Sequence, residues 1–581
     1  VNKLSKRTLI AATAIACTLG VAAPATANVV ADPVRYSADR AALSLNPIGT
    51  YETGIFDASA AEIVTHYPAA QRLLVVNAAE ALVEVLDVKN PAQPTKLFDL
   101  VTEGVKSGDG SRIPDGAVVN SVAVRDDGLG VLAVEAPTKT DPGWLVFFDA
   151  NGDGETLGAV RVGALPDMVT ITPKGDKAVV ANEGEPAEDY SVDPEGSVSI
   201  VKLKHHRIEL PRQKDVKTAG FRAFEKKLPD GVRIYGGRED ATGVKPKYPV
   251  SENLEPEYVT VAKDGRTAYV SLQEANAIAE VNLNSATITR ITPLGTVDRL
   301  KTPADMSDRD DAINLATWPV KGFHQPDAMS SYTVKGKTYL VTANEGDARA
   351  WEGYSEEARV KDLGDGLPPI CDGFDTRKRN ADGSKMTIEQ LQQDQNLGRL
   401  NITLADGLSA DGSCYQELFT YGTRSMSIWT DKGKKVFDTA TDFERITAKV
   451  LPEYFNSNHS ESNFEGRSDD KGPEPEGITI GEVDGKTYAF VGLERVGGIM
   501  AYDISSPERS KFVTYVNNRD FSASVEEDPA SLGAAGDLGP EGLAFISAKE
   551  SPTGKPLLAV GNEVSGTTTL FSVDRVLKHR S

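Results

Sequence analysis

The sequence predicts an all-β chain closed into a seven-bladed β-propeller. Three observations carry that expectation. One unit recurs seven times: a short acidic lead-in, an apolar strand, a glycine-containing turn, a second apolar strand and a closing acidic residue. Within a unit the side chains alternate with a period of two. In residues 267–272, Ala268, Val270 and Leu272 share one face. The 52 glycines and 32 prolines are scattered along 581 residues rather than clustered, as many turns between short strands require. Repeated meanders in a chain of this length close radially, which protects their edges.

In chain order, residues 1–27 read as a secretory signal. Lys3, Lys6 and Arg7 precede an apolar run from Leu9 to Val21, and Ala25, Thr26 and Ala27 form a cleavage site. Residues 28–581 are then one propeller domain. The apolar run is too short for a membrane span, and Cys17 lacks the upstream leucine of a lipoprotein box. No later stretch is apolar enough to span a membrane, and residues 574–581 are basic and polar. The product is expected to be secreted, with no visible C-terminal anchor.

Residues 42–54 should supply a strand to the last blade and close the ring. Weaker units begin at Ala61 and Asn120. The clear ones span 166–185, 256–276, 326–347, 475–495 and 540–566. Two inserts break the rhythm. Residues 204–250 are basic and weakly periodic. Residues 347–420 are polar and turn-rich, with a helix expected at 387–395. The second insert holds Cys371 and Cys414. Export and an even count favour a disulfide between them over two free thiols. Inserts of this kind gather on one face of a propeller, where function resides.

Composition narrows the function classes. Against 63 basic residues stand 85 acidic ones, a formal charge of -22, which disfavours nucleic acid or an anionic membrane as partner and suits cations. No G-x-S-x-G elbow, Walker or Rossmann loop, or H-E-x-x-H motif occurs, and the scattered cysteines and histidines make no zinc cluster.

The acidic residues recur in register. Asp167, Glu257, Asp327, Glu476 and Glu541 stand at the lead-ins; Glu183, Glu274, Glu345, Glu494 and Glu563 close the second strands. Rotation about one axis turns equivalent positions into rings, so these carboxylates are expected to gather at the mouth of a central channel. Crowded carboxylates repel unless a cation intervenes or protons are taken up. Ca²⁺ suits such oxygen ligands, with a second divalent or transition metal compatible. The competing reading has these glutamates capping turns. Asp149, Asn151 and Asp153 also match the first half of a calcium loop, but Val160 stands where its final glutamate belongs, and a plain hairpin turn fits as well. Arg349 and Arg495 follow acidic motifs, and a guanidinium fork matches phosphate. His324 precedes a Gln-Pro-Asp lead-in and is a candidate general acid; a lone histidine is more often structural.

The stretches around 323–349, 473–504, 515–521 and 558–573 resemble the bacterial choice-of-anchor I domain proteins, a likeness that covers about residues 42–574. The resemblance implies an exported β-propeller. Members are often labelled alkaline phosphatase, and others resemble a mesenchyme-specific cell-surface glycoprotein, so activity is implied only loosely. The leading expectation is a secreted, divalent-metal-dependent phosphomonoesterase of alkaline phosphatase type. Ringed carboxylates would hold Ca²⁺, Arg349 and Arg495 would clamp phosphate, and His324 would act as acid. The alternative is a non-enzymatic cell-surface adhesion or ligand-binding propeller, with Trp351 and Tyr354 on its recognition surface. A monomer is favoured.

Overall fold

The computed structural model describes residues 29–235, 250–380 and 382–576. The expected secretory signal lies outside them. Their strands include seven antiparallel sheets of four or five strands. Sheet 1 runs from strand Val64–Tyr67 to Thr95–Val101, sheet 2 from Val119–Val124 to Thr156–Ala164, and sheet 3 from Pro166–Ile171 to Val216–Gly220. Sheet 4 runs from Pro256–Val261 to Thr287–Pro293, and sheet 5 from Met329–Val334 to Lys435–Asp438. Sheet 6 runs from Pro475–Val483 to Lys511–Asn517, and sheet 7 from Pro540–Ile546 to Thr567–Arg575.

The first strands of successive sheets touch, and that of sheet 7 touches that of sheet 1. A separate apolar cluster fills each gap between neighbours, the last one included. The sheets therefore close into a β-propeller. Period-two alternation explains the wedges. In strand Thr267–Leu272, Ala268, Val270 and Leu272 pack toward sheet 3, while Tyr269 packs toward sheet 5.

Strand Leu43–Glu52 pairs antiparallel with Thr567–Arg575, so the early segment completes sheet 7 as expected. Strand Val34–Ser37 adds a fifth strand to sheet 6. The first insert is shorter than its sequence suggests, because Val216–Gly220 is the outer strand of sheet 3. That strand is mostly exposed, so no apolar alternation marks it. Residues 236–249 of this insert lie outside the described residues.

The second insert leaves sheet 5 between strands Lys337–Asn344 and Ser425–Thr430. It joins residues 304–320 in a core of its own, including Met306, Trp318, Leu391 and Leu400. The expected helix is one turn, Ile388–Leu391, opened by a capping box of Thr387 and Gln390. Gln392 to Gln395 offer no apolar side chain to extend it. Cys371 and Cys414 are bonded, with Cα atoms 5.0 Å apart and a sequence separation of 43. Replacing both by serine should cost the insert about 2–4 kcal/mol, by freeing the loop they close. Limited proteolysis checks this: cutting within 347–420 should accelerate while the sheets stay intact.

Candidate metal centre at the channel mouth

The start of each repeat explains how the carboxylates reach the axis. In sheets 3, 4, 6 and 7 a proline opens the first strand: Pro166, Pro256, Pro475 and Pro540. Each pairs with the last residue of the second strand, and the register shifts immediately afterwards. Proline lacks an N–H and suits a strand start. The bulge then re-aims the next side chain, which is Asp167, Glu257, Glu476 or Glu541. Leu165, Gln325 and Glu474, each just before a lead-in proline, take φ of 45°, 40° and 49°. Gly539 reaches 69° at the same point. Without glycine such a backbone costs on the order of 1 kcal/mol or more, so the turn into the channel is held under strain.

The register also fixes the second ring. The residue following the second strand is Glu183, Gln273, Glu345, Glu494 or Glu563 in sheets 3 to 7. In sheet 4, then, Gln273 and not Glu274 holds the equivalent position. Gln273 Nε2 donates to Glu345 Oε2 at 3.0 Å. Glu274, one residue on, still lies with Glu183 and Glu257.

A cavity of about 280 Å³ occupies the axis. Every sheet contributes to its wall: Glu62, Asn120, Asp167, Tyr258, Asp327, Gly477 and Glu541. Glu62 and Glu135, which also lines it, belong to the two weak repeats and were missed in the sequence; aligning 61–64 with 475–478 would have put Glu62 in the ring.

Four sets of three side chains each bring ligand atoms within 4.8 Å of one another: Glu183, Glu257 and Glu274; Asp327, Glu345 and Glu476; Glu345, Glu474 and Glu494; and His459, Glu494 and Glu563. At that spacing, with an effective dielectric near 20, each pair of like charges costs about 3 kcal/mol. Burial, then neighbouring carboxylates, raise the proton affinity of the ring. Glu62 is pushed to about 8, Asp167 to about 7 and Glu563 to about 8. Glu183, Glu257, Glu274, Asp327, Glu476 and Glu541 rise well above the usual carboxylate range for the same reasons. One oxygen each of Glu257, Glu274, Glu476 and Glu541 is buried without a hydrogen-bond partner. An all-oxygen, buried and unpaired donor set fits a divalent cation such as Ca²⁺.

The basic candidates behave differently. Arg349 is buried. Its Nη1 donates to Tyr235 O and Asn253 Oδ1, and its Nη2 to Asn253 O and Glu255 Oε2 at 2.6 Å. Arg495 donates from Nε to Glu474 Oε2 at 3.0 Å and pairs through Nη1 with Glu494 Oε1 at 2.9 Å. Both forks are committed to the chain's own carboxylates and are not free phosphate clamps.

His324 is 1% exposed and packs edge-on against Trp429. Its Nδ1 lies 3.0 Å from Gly295 O and its Nε2 2.9 Å from Lys435 Nζ. Burial holds its pKa below the usual histidine value. With both nitrogens engaged away from the cavity wall, it is placed as a structural histidine rather than an acid.

The calcium-like loop is a hairpin turn between strands Pro142–Asp149 and Thr156–Ala164. Asp149 Oδ1 accepts from Asn151 N at 2.9 Å, Asn151 Oδ1 accepts from the Tyr67 hydroxyl, and Asp153 is exposed. Arg72 Nη1 donates to Ala150 O and Gly152 O at 2.7 Å, so a guanidinium already caps the loop carbonyls.

Fold and mouth together define a β-propeller whose axial cavity is walled by carboxylates. The chain belongs to the choice-of-anchor I domain family, whose model matches residues 62–507. Gigasin-3a of Magallana gigas is 30% identical over 197 residues, 32% of this chain and 69% of that one. The mesenchyme-specific cell surface glycoprotein of Strongylocentrotus purpuratus is 27% identical over 287 residues, 44% of this chain but 35% of that one. Among solved structures, Kuenenia stuttgartiensis hydrazine synthase overlaps with a TM-score of 0.41 at 13% identity, covering 90% of this chain and 99% of that one.

Proposed function

We propose that the protein is an extracellular propeller that hydrolyses phosphate monoesters at a divalent-metal centre in its channel mouth. The observation that carries this reading is the convergence of Glu62, Asp167, Glu183, Asp327 and Glu541 on one axial cavity, where Glu541 keeps a buried oxygen unpaired. A bound divalent ion supplies charge neutralisation and polarises a phosphoryl oxygen. The chain's carboxylates hold that ion, and the wedge cores keep them in place. Because Arg349 and Arg495 are engaged by Glu255, Glu474 and Glu494, neither is offered as a phosphate clamp; the carboxylates would hold the ion, which would supply the positive charge that a phosphate needs. The extracellular placement is supported by the cell-surface name of the sea-urchin relative. Among the described residues no helix is long and apolar enough to cross a membrane.

The adhesive reading draws less from the inserts than their sequence promises. Tyr354 is buried in a cluster with Tyr190 and Tyr235, and Lys139 Nζ lies 3.8 Å over the ring of Trp351. An assay of p-nitrophenyl phosphate hydrolysis at alkaline pH, before and after chelation, tests the proposal. Activity should fall on chelation and return with Ca²⁺. Bound metal without hydrolysis under any divalent ion would transfer the metal to a structural role in a binding propeller.

A further inference from the structure

The four triads at the mouth are not equivalent, because the chain's own cations already engage a ligand in three of them. Lys471 Nζ sits 2.6 Å from Glu345 Oε1, 2.6 Å from Gly346 O and 3.2 Å from Glu474 Oε2. It therefore occupies the set of Glu345, Glu474 and Glu494 as a tethered ammonium, with Arg467 and Arg495 also on Glu474. The set of Asp327, Glu345 and Glu476 shares Glu345, whose other oxygen accepts from Gln273. In the set of His459, Glu494 and Glu563, Arg495 Nη1 lies 2.6 Å from His459 Nδ1 and 2.9 Å from Glu494 Oε1. A metal ion entering any of these would meet a fixed positive charge or a ligand already engaged.

Glu183, Glu257 and Glu274 are the exception. Among the described residues no lysine or arginine pairs with them, and the nearby Arg349 is held by Glu255. Glu257 is 6% exposed and Glu274 is 7% exposed, and each keeps one buried oxygen with no hydrogen-bond partner. Three carboxylates so placed offer up to six oxygens, a donor set that suits Ca²⁺ and leaves room for water.

We infer that the chain binds a single tightly held divalent cation on Glu183, Glu257 and Glu274, beneath sheets 3 and 4, and that Lys471 replaces a second cation beneath sheets 5 and 6. This inference rests on the metal-centre reading of the mouth but not on hydrolysis. The ion ties the turn after one second strand to both acidic positions of the next sheet. The Lys471 ammonium links the turn after the second strand of sheet 5, at Glu345 and Gly346, to Glu474 just before sheet 6, without metal.

Calcium content measured on the full chain after gel filtration, with isothermal titration of Ca²⁺, tests this assignment. Wild type should hold one equivalent. Glu257→Gln and Glu274→Gln should lose it, while Glu476→Gln should keep it. Lys471→Met should gain a second equivalent, and Lys471→Gln provides the same test if the methionine variant does not fold. Circular dichroism reports folding in each case. A wild-type equivalent that survives both Glu257→Gln and Glu274→Gln, or that disappears in Glu476→Gln, overturns the placement and leaves the hydrolytic reading standing. Lysine variants that fold and still bind one equivalent overturn the role given to Lys471. Calcium bound on this triad without any phosphatase activity does the reverse, ending the hydrolytic reading alone. A folded wild-type chain that takes up no Ca²⁺ overturns the placement, and the hydrolytic reading ends only if no divalent ion supports p-nitrophenyl phosphate hydrolysis.

Discussion

Glu474→Gln should destabilise the folded chain by about 3–5 kcal/mol, the usual cost of breaking a buried ion pair from one side. Glu474 is fully buried and accepts from Arg467 Nε and Nη2 at 2.9 and 2.7 Å and from Arg495 Nε at 3.0 Å, with Lys471 Nζ 3.2 Å away. Burial alone would raise its proton affinity, yet these three cations hold its pKa well below the usual range. The amide keeps the shape and removes the charge, so three cations lose their common partner. Urea unfolding monitored by tryptophan fluorescence measures the effect. A loss under about 1 kcal/mol, the range of surface pairs, would mean that solvent reaches this network.

In chelator, thermal stability should fall steadily as pH rises from about 5 to 8, and Ca²⁺ should flatten that slope. The direction follows from linkage. Glu62, Asp167 and Glu563 hold their protons in the folded state up to about 8, 7 and 8, because burial and neighbouring carboxylates disfavour their charged forms. In the unfolded chain they release them near 4. Their contribution is complete below the unfolded value and is lost as pH climbs through the folded ones. A divalent ion binds the charged form and relieves the repulsion. Melting temperatures taken across this window with chelator and with Ca²⁺ give the answer. A flat or rising profile in chelator would contradict the crowding of charge at the mouth.

Much of this arrangement was legible in the sequence because rotation preserves phase. Five lead-in acids in register implied a ring, and alternation at 267–272 implied a strand with Ala268, Val270 and Leu272 on one face. The failures have equally local causes. Glu274 looked equivalent to Glu183, but strand pairing ends at Leu272 and gives that position to Gln273. Arg349 looked available because its partner Glu255 is distant in sequence, and Arg495 because nothing in the sequence shows that it turns back on Glu494 and Glu474. A usable sign was present nonetheless: Glu-Pro-Glu occurs at 255–257 and again at 474–476. In each copy the first glutamate binds arginine and the second faces its triad. His324 could not be resolved without the third and fourth strands of sheet 5. Val216–Gly220 was hidden because an exposed outer strand buries too little to show a period.

The pairing of strand Leu43–Glu52 with strand Thr567–Arg575 has an orientational consequence. Thr567 lies beside Asn562 at the acidic mouth, and Arg575 lies opposite Leu43 at the far end of the same sheet. The last strand therefore travels away from the mouth. Any tether continuing beyond it would leave from the opposite side, so a propeller fastened there to a cell envelope would stand like an open cup, its rim of carboxylates turned to the medium.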